Sequence, residues 1–254
     1  MPREPRASAD VVDQTHARFD TEIPNLEAMI QRGFAAGNLR RVAPMAAKLL
    51  LRSTEQIRVS YAVGSPVEDI APLVRTAGDR WSQVFEQAGE AATDPALARY
   101  LGPELLRTEA GYAAVVDLLA WATALGEQAT VSQVAATPVV NGSSDIVVDT
   151  LLVLGGEQRE VASTATFDTL YSGWVSLAHA PVESRAAALA SYVSSWEQAW
   201  IDTGTMERPG SPQYIGNWCF DVVPLVVAHD IDDNAVRDQP VYPADLVDAA
   251  RGRR

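Results

Sequence analysis

Apolar residues recur along most of the chain at three- and four-residue spacing, the signature of helices that bury one face. Leu39, Val42, Ala46, Leu49, Leu50, Ser53, Ile57 and Tyr61 form one such stripe, and Gly64 stands where that helix should end and turn. A second stripe follows at once through Ile70, Leu73, Val74, Ala77, Trp81, Val84, Phe85 and Ala88. Its start carries Ser65-Pro66-Val67-Glu68, which reads as a capping box with proline in the first helical position. Two long helices are thus predicted to meet at a tight corner. Asp94-Pro95 is expected to open a short helix. Gly102-Pro103-Glu104 opens another, whose stripe runs through Leu105, Tyr112, Val116, Leu119 and Thr123 to Gly126, with Leu118 and Trp121 widening its buried face.

Farther on, Leu189, Val193, Trp196 and Trp200 make a helical stripe that begins near Pro181-Val182-Glu183 and closes at Gly204. Ser211-Pro212 is then expected to open a helix apolar almost all round, from Tyr214 through Val227, the usual mark of the central member of a bundle. Pro224 inside it predicts a kink. The stretch Pro138 to Gly156 is ambiguous on pattern alone. Val139-Val140-Asn141-Gly142 followed by valine-rich alternation fits either a hairpin on Asn-Gly or a helix. The tails, Met1 to Ser8 and Gly252 to Arg254, read as disordered. The fold class is all-α, a multi-helix bundle of about eight to ten helices. An N-terminal helical half (10–126) and a C-terminal half (127–250) are expected to pack as one unit.

Composition narrows the function. The single cysteine, Cys219, excludes an intrachain disulfide framework and any multi-cysteine metal site, which fits a reducing cytosol. Met1 to Asp13 is polar, without the apolar core of a signal peptide, and the most apolar window, Asn217 to Ala228, is too short for a membrane span, so a cytoplasmic protein is expected. The formal charge of −13 argues against direct nucleic-acid binding. That charge is uneven. Residues 1–60 hold nine basic and seven acidic side chains, residues 131–254 seven basic and sixteen acidic, so a basic partner would meet the second half.

No catalytic constellation is legible, and no cofactor or metal site is expected. His16, His179 and His229 are isolated, with no HExxH or paired carboxylates beside them, and neither a phosphate loop nor a GxSxG elbow occurs. His229-Asp230-Ile231-Asp232-Asp233-Asn234 is the most suggestive cluster. Asp230, Asp232 and Asp233 could hold a divalent cation in an all-α enzyme, the rival reading, but the same residues suit a turn at a helix exit, which is the reading adopted. Trp81, Trp121, Trp174, Trp196, Trp200 and Trp218 read as core rather than as an aromatic box.

One resemblance goes further. Within residues 211–247, the order Tyr214-x-Gly216-x-Trp218, acidic Asp221, an apolar run, Ile231-Asp232-Asp233 and Tyr242-Pro243-x-Asp245-Leu246 resembles the C-terminal signature of the polymorphic toxin nuclease immunity family, PoNi. The corner Ser60 to Pro66, with Tyr61 and Gly64, resembles that family's tyrosine-to-glycine corner, and Trp196 with Trp200 its tryptophan-bearing helix. The chain departs from the pattern at Asp221, where the family tends to have Glu, at Pro224, and at Val241. The resemblance implies a non-enzymatic, all-helical immunity protein that binds and inhibits a cognate toxin, typically a PD-(D/E)xK-type DNase. A partner for a non-nuclease toxin is the alternative. It implies helix rather than hairpin over Ser144 to Leu154. It assigns Tyr61, Gly64, Tyr214, Gly216, Trp218, Asp221, Asp232, Asp233, Tyr242 and Pro243 to the family signature, as residues that fix packing. Joined to the charge asymmetry, it makes Asp145, Asp149, Glu157, Glu160 and Asp168 candidate contacts for a basic nuclease domain.

Overall fold

The computed structural model describes residues 3–89, 94 and 97–254, and among these there are helices, turns and irregular segments but no strand. Three long helices come first: α1 (Ala9–Ala35), α2 (Leu39–Ala62) and α3 (Val67–Ala88). They pack consecutively, α1 on α2 and α2 on α3. Gly64, with φ of +88°, makes the corner between α2 and α3, a conformation that costs glycine little. The cap at that corner differs from expectation. Pro66 is the capping residue of α3 and no side chain caps the helix, so Ser65 does not form the box.

A short helix α4 (Ala98–Leu101) follows; Asp94 is exposed, and Pro95 of the expected start lies outside the described residues. Pro103 does not open the next long helix. It opens a 3-10 turn, Pro103–Arg107, and the chain breaks before α5 (Glu109–Leu125), which is capped by Thr108 accepting from the Gly111 amide at 3.1 Å. Gly126 ends α5 in the left-handed conformation, as its position predicts. Buried on nearly every side, α5 touches α2 and α3 as well as α6 (Gln128–Ala135), α8 (Ile146–Leu154), α11 (Val223–Ala228) and α12 (Ala244–Arg251). It is the central helix of the bundle. Its one buried carboxylate, Asp117, is paired with Arg58 of α2.

Between α6 and α8 lies the short α7 (Pro138–Asn141), so the ambiguous stretch is helical, and the rest of the bundle is α9 (Asp168–His179) and α10 (Arg185–Asp202). Twelve α-helices are present among the described residues, nine of them of eight residues or more. All six tryptophans are buried.

The expected helix over 214–227 is not formed. Residues 215–219 carry no helix or turn, a 3-10 turn spans Phe220–Val222, and only Val223–Ala228 is α-helical. A nearly all-apolar run specifies burial, and buried irregular chain satisfies it as well as helix does. Pro224 consequently sits in the first turn of α11, where its missing N–H has no intrahelical partner to lose, and it makes no kink. Gly216 holds φ of +113°, and a Cβ there would lie 2.1 Å from the Trp218 ring. Tyr61 meets the same ring edge-on, 5.1 Å between centroids, and also contacts Trp121 at 5.6 Å and Phe220 at 5.3 Å.

The N-terminal residues from Arg3 onward dock, against the expectation of a disordered tail. Arg3 donates to the carbonyls of Tyr61 at 2.9 Å and Ser65 at 2.7 Å, lies over the Tyr61 ring at 4.3 Å, and pairs with Asp245. Glu4 is buried, accepting from the Tyr214 hydroxyl and from Arg6, both at 2.8 Å, while Arg6 also pairs with Glu197 at 2.8 Å. Two arginines in ion pairs that cross the chain outweigh the disorder expected of a polar terminus. At the other end Arg253 reaches the Leu125 carbonyl at 3.4 Å.

Because Gly216 combines a left-handed backbone with contact against Trp218, Gly216→Ala is expected to destabilise the protein by about 2 to 4 kcal/mol and Trp218→Ala by about 3 to 5 kcal/mol. Chemical denaturation measures both; wild-type stability in Trp218→Ala would refute the packing role assigned to that residue.

Candidate functional site

The five carboxylates read as candidate contacts lie at the beginning of α8 and along the segment that follows it, but they do not share one surface. Asp145 caps α8. Its side chain is fully buried and accepts from the Val147 and Val148 amides, each at 3.0 Å, from the Tyr112 hydroxyl at 2.8 Å and from the Thr166 amide at 2.6 Å. Asp149, one turn on, is also buried. It accepts from the Asp145 and Ala162 amides, both at 3.1 Å, and forms an ion pair with Arg159 at 2.6 Å. Both are met by internal partners, Asp149 Oδ1 by the Arg159 ion pair alone, so in this structure Asp145 and Asp149 face inward, away from any partner protein. The expectation treated them as surface charge because the periodicity of a short valine-rich helix does not reveal which polar position is its cap.

Their partners explain what they do. Between Gly155 and Phe167 the chain leaves α8 and returns over its first turn without forming a helix. Three attachments pin it there: Thr166 to Asp145, Ala162 to Asp149, and the Ile146 amide to the Thr164 carbonyl at 2.9 Å. Arg159 adds a fourth, reaching the Val140 carbonyl at 3.1 Å and the Ser143 carbonyl while paired with Asp149. The segment is a strap held from beneath. Glu157 is half-buried and accepts from Ser132, whereas Glu160 and Asp168 are exposed, as is Val161 at 41%. Asp168 lies in the first turn of α9, where the helix dipole favours a negative charge. Of the five candidates, the structure therefore presents Glu160 and Asp168 fully and Glu157 in part. A recess of about 600 Å³ lies beside the strap, lined by Asn141, Ser143, Ser144, Arg159 and Glu160 among others. Arg159, Ala162 and Thr166 were not singled out from the sequence. The one available signal was a lone arginine between Glu157 and Glu160.

The signature residues gather elsewhere, in the interior. Tyr242 donates to Asp233 at 2.8 Å, and Asp233 also pairs with Arg237 at 2.9 Å and Arg251 at 3.0 Å. Burial opposes ionisation of Asp233, but the tyrosine hydroxyl and the two arginines outweigh it and hold its carboxyl below the usual range. Pro243 is buried and caps α12, while Asp232 is exposed and accepts from the Asn234 amide, a turn-forming bond at the exit of α11. Asp230 holds φ of +48° in that turn. Among the described residues no group of three or more His, Cys, Asp or Glu side chains is arranged to hold a metal ion, and no helix is long and apolar enough to cross a membrane.

Asp221 is the most perturbed carboxyl. It accepts from the Tyr192 hydroxyl at 2.6 Å and from the Cys219 thiol at 3.1 Å, and its backbone carbonyl accepts from the Trp174 indole at 3.1 Å. Complete burial pushes its pKa up to about 6, although both side-chain bonds favour the charged form. A larger cleft, about 770 Å³, runs between α1, α2, α5 and the 205–217 segment, with Arg18, Lys48 and Arg52 on its wall. Those three cations converge on Glu22, at 3.4, 2.6 and 3.6 Å, so their charge is largely met within the fold.

The signature tyrosines, glycine and buried carboxylates of this all-α bundle therefore serve packing. Residues 143–246 match the family model described as PoNe immunity proteins (PoNi), C-terminal, which supports the family resemblance carried by the pattern over 211–247. The crystal structure of protein PA2201 from Pseudomonas aeruginosa has the same fold, with a TM-score of 0.71 at 20% identity over 99% of this chain and 91% of that one. No curated protein matches the chain.

Two outcomes follow from these carboxyls. Asp145→Ala removes a helix cap and strands the Tyr112 hydroxyl and the Thr166 amide, an expected loss of about 3 kcal/mol by chemical denaturation. For Asp221 the folded pKa lies above the unfolded one, so its contribution to stability is complete below about pH 4 and is lost as the pH rises through about 6. Asp221→Asn cannot titrate. Wild type should therefore lose stability relative to this variant between pH 4 and pH 7, and parallel pH curves for the two proteins would contradict the assignment.

Proposed function

We propose that this protein is a cytoplasmic immunity protein that binds a cognate polymorphic toxin and blocks it, and that the toxin is a DNase of the PD-(D/E)xK type. The observation that carries the reading is the PoNi match over residues 143–246, the half of the chain with the acidic excess. A DNase must present a cationic groove to the phosphate backbone, and a protein with a net charge of −13 is suited to occupy it. In this reading the protein performs no catalysis. It protects by covering the toxin's DNA-binding or active-site face, with the N-terminal half (10–126) and the C-terminal half (127–250) acting as one body. Exposed Glu160 and Asp168, with the partly exposed Glu157, are the members of the candidate contact set available for that face; buried Asp145 and Asp149 would support it from below.

The test is to mix the purified protein with the toxin domain encoded beside it and follow complex formation together with plasmid degradation. Binding with loss of DNase activity is expected. Association should also slow by roughly tenfold between low and high ionic strength, because opposite net charges accelerate encounter only while unscreened. A complex with a toxin that does not cut DNA would retain the immunity reading and replace the nuclease.

A further inference from the structure

The strap between α8 and α9 is over-determined for a surface loop. Residues 157–162 form no helix, turn or bend, yet two wholly buried carboxylates, Asp145 and Asp149, and the guanidinium of Arg159 fix the run to the body beneath it. Side chains alternate in the manner of extended chain. Glu157 and Arg159 turn toward the body, while Gln158 and Glu160 are exposed. No carbonyl or side chain among the described residues accepts from the backbone amides of Gln158, Arg159, Glu160, Val161 or Ser163. The strap thus carries unpaired main-chain donors, alternate ones facing each edge, on backbone held in place and with the exposed side chains of Glu160 and Val161.

The geometry points to this strap, residues 157–164, as the edge on which the toxin docks, by pairing its main chain with an extended segment of a basic protein partner. The inference rests on the immunity reading above and adds the location and mode of contact. Three features argue for it together. A backbone already ordered by buried anchors avoids the entropic cost of ordering a loop on binding. Unpaired main-chain groups in an extended run are the template used when a segment is added to an edge. Exposed Glu160 matches a lysine or arginine side chain on the incoming chain, and exposed Val161 beside it supplies apolar contact. Binding at the 770 Å³ cleft is less favoured, because its cations are already paired, Arg18, Lys48 and Arg52 with Glu22 and Arg58 with Asp117.

Amide hydrogen exchange on the full-length protein, free and in complex with the toxin domain, tests this directly. In the free protein the amides of 158–161 should exchange quickly; in the complex the alternate amides that face the incoming chain should slow by at least about tenfold while their neighbours slow less, an alternation that side-chain contact alone would not produce. Glu160→Arg, at an exposed position with no internal partner, should leave the melting temperature unchanged and weaken the complex by about tenfold. A tight wild-type complex in which the strap amides exchange as in the free protein and Glu160→Arg binds normally would overturn the docking edge while leaving the immunity reading standing. If wild-type protein forms no complex, the immunity reading falls and this inference with it.

Discussion

The ring of Tyr61 ties together parts of the chain that are far apart in sequence. Trp121 of the central helix and Trp218 and Phe220 of the non-helical segment before α11 meet it edge-on, Arg3 lies across it, and its hydroxyl bonds to Asp245 in α12. An aromatic side chain can serve all of these at once because its edge and face carry opposite partial charge and its hydroxyl adds a directed bond. Gly64 turns the chain immediately after it, so α3 leaves in a fixed direction. The corner and the aromatic cluster thereby set where both halves of the bundle meet α5.

The C-terminal half uses its acidic residues in two ways. Of its sixteen carboxylates between 131 and 254, Asp145, Asp149, Asp221 and Asp233 are buried, and each holds irregular backbone or a neighbouring helix in place through several hydrogen bonds. Such groups are tolerated inside a protein only when their oxygens are met, and here amides, tyrosine hydroxyls and arginines meet them. Acidic composition therefore overstates acidic surface. What remains outside is concentrated on loops and helix starts whose positions the buried carboxylates determine.

The sequence revealed helices where one face is apolar and the other polar, as in α2, α3 and α10, because periodicity reports which side of a regular element is buried. Gly64, Gly126 and Gly204 marked ends correctly since each needs a positive φ. Periodicity failed where burial is complete. Tyr214 to Val227 is apolar apart from Asn217 and Asp221, and such a run does not distinguish a helix from a buried irregular chain; Gly216, with its ring contact, was the local indication that the helix would not form. Thr108 was overlooked as a cap because Pro103 offered an earlier start. The strap was visible only as charge, since its order comes from bonds to Asp145 and Asp149 that no local pattern encodes. The family signature was legible because its residues keep a fixed order, although their roles in packing emerged only from the structure.

The docking of residues 3–6 couples parts of the bundle that are distant in sequence. Arg3 joins the carbonyls of Tyr61 and Ser65 to Asp245 of α12, and Glu4 and Arg6, paired with each other, reach Tyr214 and Glu197. The short segment acts as a clasp across the α2–α3 corner, α10, the chain before α11, and α12. Losing it would loosen all four together, although none of them lies next to it in the sequence.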